Sequence, residues 1–239
     1  MNILITGGAS GLGQSITKVL AERKTLNIFF TYNHSADNSK ELESQFKNVK
    51  AIHCNFENEE SLQSLLLEIE KNDIQVLVNN AFTGLQTKYF HKMEANYFAD
   101  NFNKNIIPVI KITQQAIIHF RKKKFGKIIT ILSAYIINKP PIGLSEYVAE
   151  KNYLLSLSKS WAVENAKFNI TSNCISPSIM QTALTANTDE RVIEEIVNNH
   201  PLKKILSTTE VSETVNYFVN ASQQINGINF VINSASDFS

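Results

Sequence analysis

Apolar positions follow two alternating rhythms along the chain. Compact apolar runs at residues 2–5, 27–31, 49–53, 74–78, 127–132, 169–175 and 228–232 have the length and composition of buried strands. Between them, apolar residues recur at helical spacing up to about residue 23 and over 38–47, 57–71, 96–120, 145–166 and 208–221, and more weakly over 190–197. Strands that alternate with helices predict a mostly parallel sheet covered on both faces. No repeat, linker or low-complexity stretch interrupts the alternation, and 239 residues suffice for one α/β domain with a full core.

Composition narrows the function classes. Lys and Arg number 23 against 22 Asp and Glu, so no global field favours nucleic acid or an anionic membrane. Cys54 and Cys174 are the two cysteines and lack paired spacing, and the five histidines show no ligand pattern, so neither a disulfide framework nor a metal site is expected. The chain runs from residues 2–5 straight into glycines with no charged lead or membrane-length apolar segment, which makes the cytoplasm the expected compartment.

Two stretches carry candidate chemistry. The first is Thr6-Gly-Gly-Ala-Ser-Gly-Leu-Gly13, between a strand and an amphipathic helix. Glycines at 7, 11 and 13 allow a sharp turn and let a pyrophosphate approach the amides of the helix start, so dinucleotide binding is expected. The second spans residues 133–151. Ser133 follows an apolar run at a strand's carboxyl end, where open α/β sheets bind ligands. Tyr147 and Lys151 stand four apart on a predicted helix, on one face. A nearby ammonium favours the phenolate, so the phenol is expected to exchange its proton nearer neutrality, as a carbonyl under reduction requires.

At the end of the second strand, Thr31-Tyr-Asn-His-Ser35 holds no acid before Asp37, and Ser10 stands where an arginine would clamp a 2′-phosphate. His34, Lys40 and nearby hydroxyls can meet a phosphate, so NADP(H) is favoured over NAD(H). Pro108 inside the long predicted helix removes a backbone donor and is expected to bend it and free a carbonyl.

Together these motifs resemble the short-chain dehydrogenase/reductase family along essentially the whole chain. The cofactor loop is similar at Thr6 to Gly13, the fourth-strand motif at Asn79-Asn-Ala81, the water-supporting asparagine at Asn105, and the sixth-strand region at Asn173 and Pro177. The resemblance implies a single-domain Rossmann fold, 1–239, with a doubly wound seven-stranded sheet and a substrate loop near 183–206. It implies Asn105, Ser133, Tyr147 and Lys151 as the catalytic set, with Tyr147 as general acid in reduction. Cofactor contacts are implied at Gly7, Ser10, Gly11, Leu12, Gly13, Tyr32, Asn33, Asn55, Phe56, Asn80, Ala81, Tyr147, Lys151, Pro177, Met180 and Thr182. The expected reaction interconverts a carbonyl and a secondary alcohol with NAD(P)(H).

The pattern looks most like 3-oxoacyl-thioester reductases, with sugar or polyol dehydrogenases as the alternative substrate class. A carrier-borne substrate needs a basic patch, for which Arg121 to Lys124 and Lys203-Lys204 are candidates. Self-association as a dimer or tetramer, through the helices bearing Asn105 and Tyr147, is implied as well. Departures from the family pattern motivate a second hypothesis, a non-catalytic dinucleotide-binding sensor. Phe82 and Ser178 stand where glycine is usual, Asn55 where aspartate is usual, and Ser234-Ala235 where a glycine pair is common.

Overall fold

The computed structural model describes residues 1–137, 139–180 and 190–236. Seven strands are present among them, β1 (Asn2–Ile5), β2 (Asn27–Tyr32), β3 (Val49–His53), β4 (Val76–Asn79), β5 (Gly126–Ile131), β6 (Ile170–Pro177) and β7 (Asn229–Ile232). They form one sheet in the order β3-β2-β1-β4-β5-β6-β7. Every neighbouring pair is parallel, so the sheet is wholly parallel where the pattern promised mostly so. Chain order reverses between β1 and β4, which opens a crevice at their carboxyl ends.

Period-two alternation within strands assigns the two faces. Ile3 and Ile5, Val76 and Val78, and Ile129 and Ile131 join one core, packed under α1 (Gly11–Ala21), α2 (Ala36–Gln45) and α7 (Thr208–Asn220). Leu4, Leu77 and Ile128 join the other, under α3 (Glu59–Lys71), α4 (Ala95–Lys123) and α5 (Ser145–Asn165). The seventh described helix, α6 (Glu190–Asn199), follows the segment 181–189, so much of the predicted substrate loop, with Thr182, lies outside the described residues.

Element boundaries shift for local reasons. β4 begins at Val76 rather than residue 74 because Asp73 takes φ 46° and Ile74 N–H bonds the Ile69 carbonyl, closing α3. β6 extends to Pro177, which pairs with Ile232 at the last rung, where a missing N–H costs no ladder bond. α4 is a single helix of 29 residues that contains Pro108, whose absent N–H leaves the Lys104 carbonyl without its helical donor.

Lys127 shows how the helical layer is fastened to the sheet. It is 5% exposed, and its Nζ donates to the carbonyls of Val219 at 2.9 Å and Ala221 at 2.5 Å, closing the C-terminal end of α7. Burial pushes its pKa down. Lys127→Met keeps the stem but strips those carbonyls of a donor, an expected cost of about 1–3 kcal/mol. Thermal melting should show a midpoint lowered by roughly 2–10 °C for a chain of this size.

Candidate active site

The glycine loop is stitched to both neighbouring strands. Thr6 Oγ1 accepts from the N–H groups of Asn80 and Ala81 at 2.9 and 3.0 Å. Asn80 Nδ2 donates back to the Thr6 carbonyl at 2.9 Å and to the Gly7 carbonyl at 3.3 Å. Gly7, at φ 67°, donates its N–H to Thr31 Oγ1 at 2.9 Å, and Gly8 N–H bonds the Thr31 carbonyl at the same distance. The amides of residues 7 and 8 are therefore spent on β2. Those left for an anion are on Gly11, Leu12 and Gly13, ahead of the first intrahelical bond of α1 from Gln14 N–H to the Ser10 carbonyl. Ser10 precedes that turn without capping it through its side chain. Gly13 fits because a Cβ there would lie 2.0 Å from the Gly7 carbonyl oxygen.

A cleft of about 270 Å³ opens beside the loop. Gly7, Ser10, Tyr32, Asn33, Asn55, Phe56 and Ala81, seven of the residues for which cofactor contacts are implied, line it together with Asn105. Asn80 acts instead as the clamp between β1 and β4. Gly11, Leu12 and Gly13 form the helix start behind the lining, Pro177 ends β6, and Met180 bridges to Leu206. Lys40 stays at the surface beside Asp37, whereas His34 and Ser35 line the cleft. Asn55 turns its side-chain oxygen to Glu57 N–H at 3.0 Å, back into its own turn.

Sequence reasoning missed Lys104 and Thr31 among the lining residues. Lys104 enters the cleft and pairs with Glu57 at 3.4 Å. Thr31 also lines it, and its hydroxyl is what fixes Gly7. For Lys104 the available signal was its place beside Asn105 at the amino-terminal half of a helix leading from β4.

The structure brings Ser133, Tyr147 and Lys151 together. Ser133 follows β5 and caps a short 3-10 turn, Ala134–Ile136, its Oγ accepting from Tyr135 N–H at 3.2 Å. The Tyr147 phenol lies near that same hydroxyl, whose interaction with it acts to lower its pKa. Lys151 Nζ donates to the Ile131 carbonyl at 3.0 Å and lies 5.7 Å from the Tyr147 ring centre. Asn105 stands at the edge of this group. Its amide closes two bonds with the Thr83 backbone, both 3.1 Å, and donates to Glu150 Oε2 at 3.2 Å.

One expectation is corrected. The phenol was expected to ionise readily beside the lysine, yet burial pushes Tyr147 up to about 12, with the Ser133 hydroxyl offsetting only part of this. Lys151 does not offset the rest, because its ammonium faces the Ile131 carbonyl and the ring of Phe82, whose centre is 4.4 Å away. Burial in turn lowers Lys151 to about 8. Phe82 also packs edge-on against Tyr147, centroids 5.1 Å apart. The ring that stands where the family pattern has glycine thus contacts both Tyr147 and Lys151.

The candidate carrier patches are engaged elsewhere. Arg121 Nε donates to Asn165 at 2.7 Å, Lys122 pairs with Glu70, Lys123 with Asp73 and Lys204 with Glu210. Among the described residues no group of three or more metal-ligating side chains converges, and no helix is long and apolar enough to cross a membrane.

Comparisons with known proteins agree with this geometry. The chain is 30% identical over 217 residues to the 3-oxoacyl-[acyl-carrier-protein] reductase FabG of Buchnera aphidicola subsp. Acyrthosiphon pisum, covering 88% of this chain and 86% of that protein. Nodulation protein G of Rhizobium sp. strain N33 is 26% identical over 217 residues, covering 90% and 87%. A crystal structure from Agrobacterium tumefaciens, provisionally described as a gluconate dehydrogenase, superposes with a TM-score of 0.89 at 20% identity over 98% of this chain and 95% of that one, a likeness of fold. The short chain dehydrogenase family model matches residues 1–193, and the chain belongs to that family of oxidoreductases.

Proposed function

We propose that this protein is an NADP(H)-preferring reductase that converts a carbonyl, as in a 3-oxoacyl thioester, to a secondary alcohol, with Tyr147 as general acid. The observation that carries this reading is the convergence of the buried Tyr147, Ser133 and Lys151 side chains at the carboxyl end of β5, beside a glycine loop. A phenol held at about 12 keeps its proton near neutrality, so the donor form is present, although transfer is most efficient from a group whose pKa lies nearer the working pH. Ser133 would hold the substrate oxygen and stabilise the charge that develops on it.

The residues present fit a nicotinamide dinucleotide. The uncapped first turn of α1 offers amides to the pyrophosphate, and the Gly7–Gly13 contact leaves that approach free of side chains. Tyr32, Asn33, Asn55, Phe56 and Ala81, which line the cleft, would flank the adenosine half, Lys151 would hold the nicotinamide ribose, and Pro177 at the end of β6 and Met180 just beyond it would adjoin the ring. When bound, the nicotinamide supplies the hydride. The preference for NADP(H) is supported by the cleft's charges: its one lining carboxylate, Glu57, is paired with Lys104, and Asp37 points fully into solvent.

The thioester substrate is supported by the reductase relatives. Because Arg121, Lys122, Lys123 and Lys204 are tied to Asn165 or to carboxylates, an unattached thioester is the first substrate to assay, followed by sugar acids and polyols. NADPH oxidation with acetoacetyl-coenzyme A at saturating cofactor tests the reading, and tight cofactor binding with no turnover on any carbonyl would favour the sensor hypothesis. Phe82→Ala frees the Lys151 ammonium from a contact of the kind worth roughly 0.5–2 kcal/mol. It should tighten NADPH binding several-fold by fluorescence titration, and unchanged or weaker binding would show that the ring does not compete with cofactor.

The chain is proposed to act as one domain in the cytoplasm, as a dimer or tetramer through α4 and α5. Ile118, Tyr153 and Val163 on these helices are 51%, 42% and 82% exposed, the apolar surface such contacts would cover. Sedimentation at micromolar concentration distinguishes this from a monomer.

A further inference from the structure

Helix α5 carries two carboxyl groups that the proposed reaction leaves unused. Glu146 and Glu150 lie one turn apart, are 3% and 5% exposed, and share a hydrogen bond with each other. The Oε1 atom of each has no partner, nor has Nδ2 of Asn101, a side chain 6% exposed on α4 one turn before Asn105. Two carboxylates this close in a low-dielectric site cannot both stay ionised, so the pair retains a proton. Its second contact is with the catalytic group. Glu150 Oε2 accepts from Asn105, whose amide holds the backbone of Thr83, next in sequence to the Phe82 ring that covers Lys151.

We propose that the Glu146–Glu150 pair is a positioning unit for Lys151: Glu150, as it ionises, supplies a negative charge that lets the lysine hold its proton to higher pH, while its bond to Asn105 holds the 82–83 segment against it. The proposal rests on the catalytic reading of Lys151. The titratable groups around the pair are Lys151 and each other on α5 and Tyr97 on α4, with Cys174 on β6 acting on Lys151. Desolvation is what depresses Lys151, and Glu150 is the first group that counters it. Desolvation likewise raises Glu150, with the Glu146 charge adding to it, so both groups titrate near about 8.

Two neighbouring isosteric substitutions then have opposite effects. Glu150→Gln removes the countercharge, and the Lys151 midpoint should fall by about half a pH unit or more. Glu146→Gln relieves the repulsion that keeps Glu150 protonated, so the carboxylate persists to lower pH and the Lys151 midpoint should rise. The measurement is 13C NMR of protein carrying labelled lysine Cε and glutamate Cδ, titrated from about pH 5 to 10 to span the lysine and carboxyl ranges, with Lys151→Met used for assignment. The alkaline limb of kcat should move with the midpoint in each variant.

Midpoints that stay fixed, or move the same way in both variants, overturn the proposal and leave the pair a structural feature. Should either variant not fold, the unsubstituted protein decides: one glutamate carbon titrating near 8 supports the pair, and all titrating in the ordinary carboxylate range refutes it. Because this readout needs no turnover, opposite shifts in a protein that reduces no carbonyl would uphold the charge coupling and count only against the enzymatic reading.

Discussion

Tyr147→Phe is expected to lower kcat for NADPH-dependent carbonyl reduction by roughly 10²–10⁴ while leaving NADPH binding within a few-fold of the unsubstituted protein. The change removes one hydroxyl and keeps the ring, so the edge-on contact with Phe82 at 5.1 Å survives. Ser133 loses a neighbour but retains its bond from Tyr135 N–H, which limits any local rearrangement. Lys151 is held by the Ile131 carbonyl, not by the phenol, so its position should also persist. A fall in kcat with unchanged cofactor affinity therefore isolates proton donation. Steady-state assays and fluorescence titration on the same preparation measure both, and a variant within ten-fold of full activity would remove Tyr147 from the role of acid.

How much of this site was legible in the sequence depends on the distance over which each interaction acts. The two cores follow from alternation within runs such as Ile3-Leu4-Ile5, where successive side chains must face opposite layers. The shared face of Tyr147 and Lys151 follows from helical geometry. The direction in which Lys151 points does not. It is set by the Ile131 carbonyl, 20 residues away, and by Phe82, contacts that exist only after β4, β5 and α5 have packed. That is why proximity in sequence suggested an acidic phenol, whereas burial without a facing ammonium produces the opposite shift.

Glu146 and Glu150 illustrate the same limit. One turn apart on a helix, they read as a solvated face, and only the packing of α4 and the 82–84 segment against α5 encloses them. Lys127 is the reverse case, an apparent strand-end cation that the end of α7 requires. The glycine loop was more fully legible because its requirement is steric and local: a strand, three spaced glycines and a helix start admit few backbone paths.

That steric requirement yields the other large expected effect. Gly13→Ala would place a methyl carbon 2.0 Å from the Gly7 carbonyl oxygen and 2.6 Å from Asn80 Nδ2. Neither neighbour is free to retreat. Gly7 is pinned at φ 67° by its bond to Thr31, and Asn80 clamps Thr6 and Gly7. α1 must therefore tilt away from β1, which separates the amides of Gly11 and Leu12 from the loop they share with a bound pyrophosphate. Overpacking of this kind costs about 1–3 kcal/mol or more, a melting midpoint lower by roughly 2–10 °C in a chain of this length. NADPH affinity is expected to fall at least about ten-fold, the equivalent of one lost charge-assisted contact. Ser10→Ala is the matched control: Ser10 makes no side-chain cap, so that substitution should leave the midpoint nearly unchanged. Differential scanning calorimetry and fluorescence titration of the two variants side by side make the comparison. A Gly13→Ala protein that melts like the Ser10→Ala control and binds NADPH like the unsubstituted protein would mean that the loop and the start of α1 do not touch as described, and the groove assigned to the dinucleotide would have to lie elsewhere.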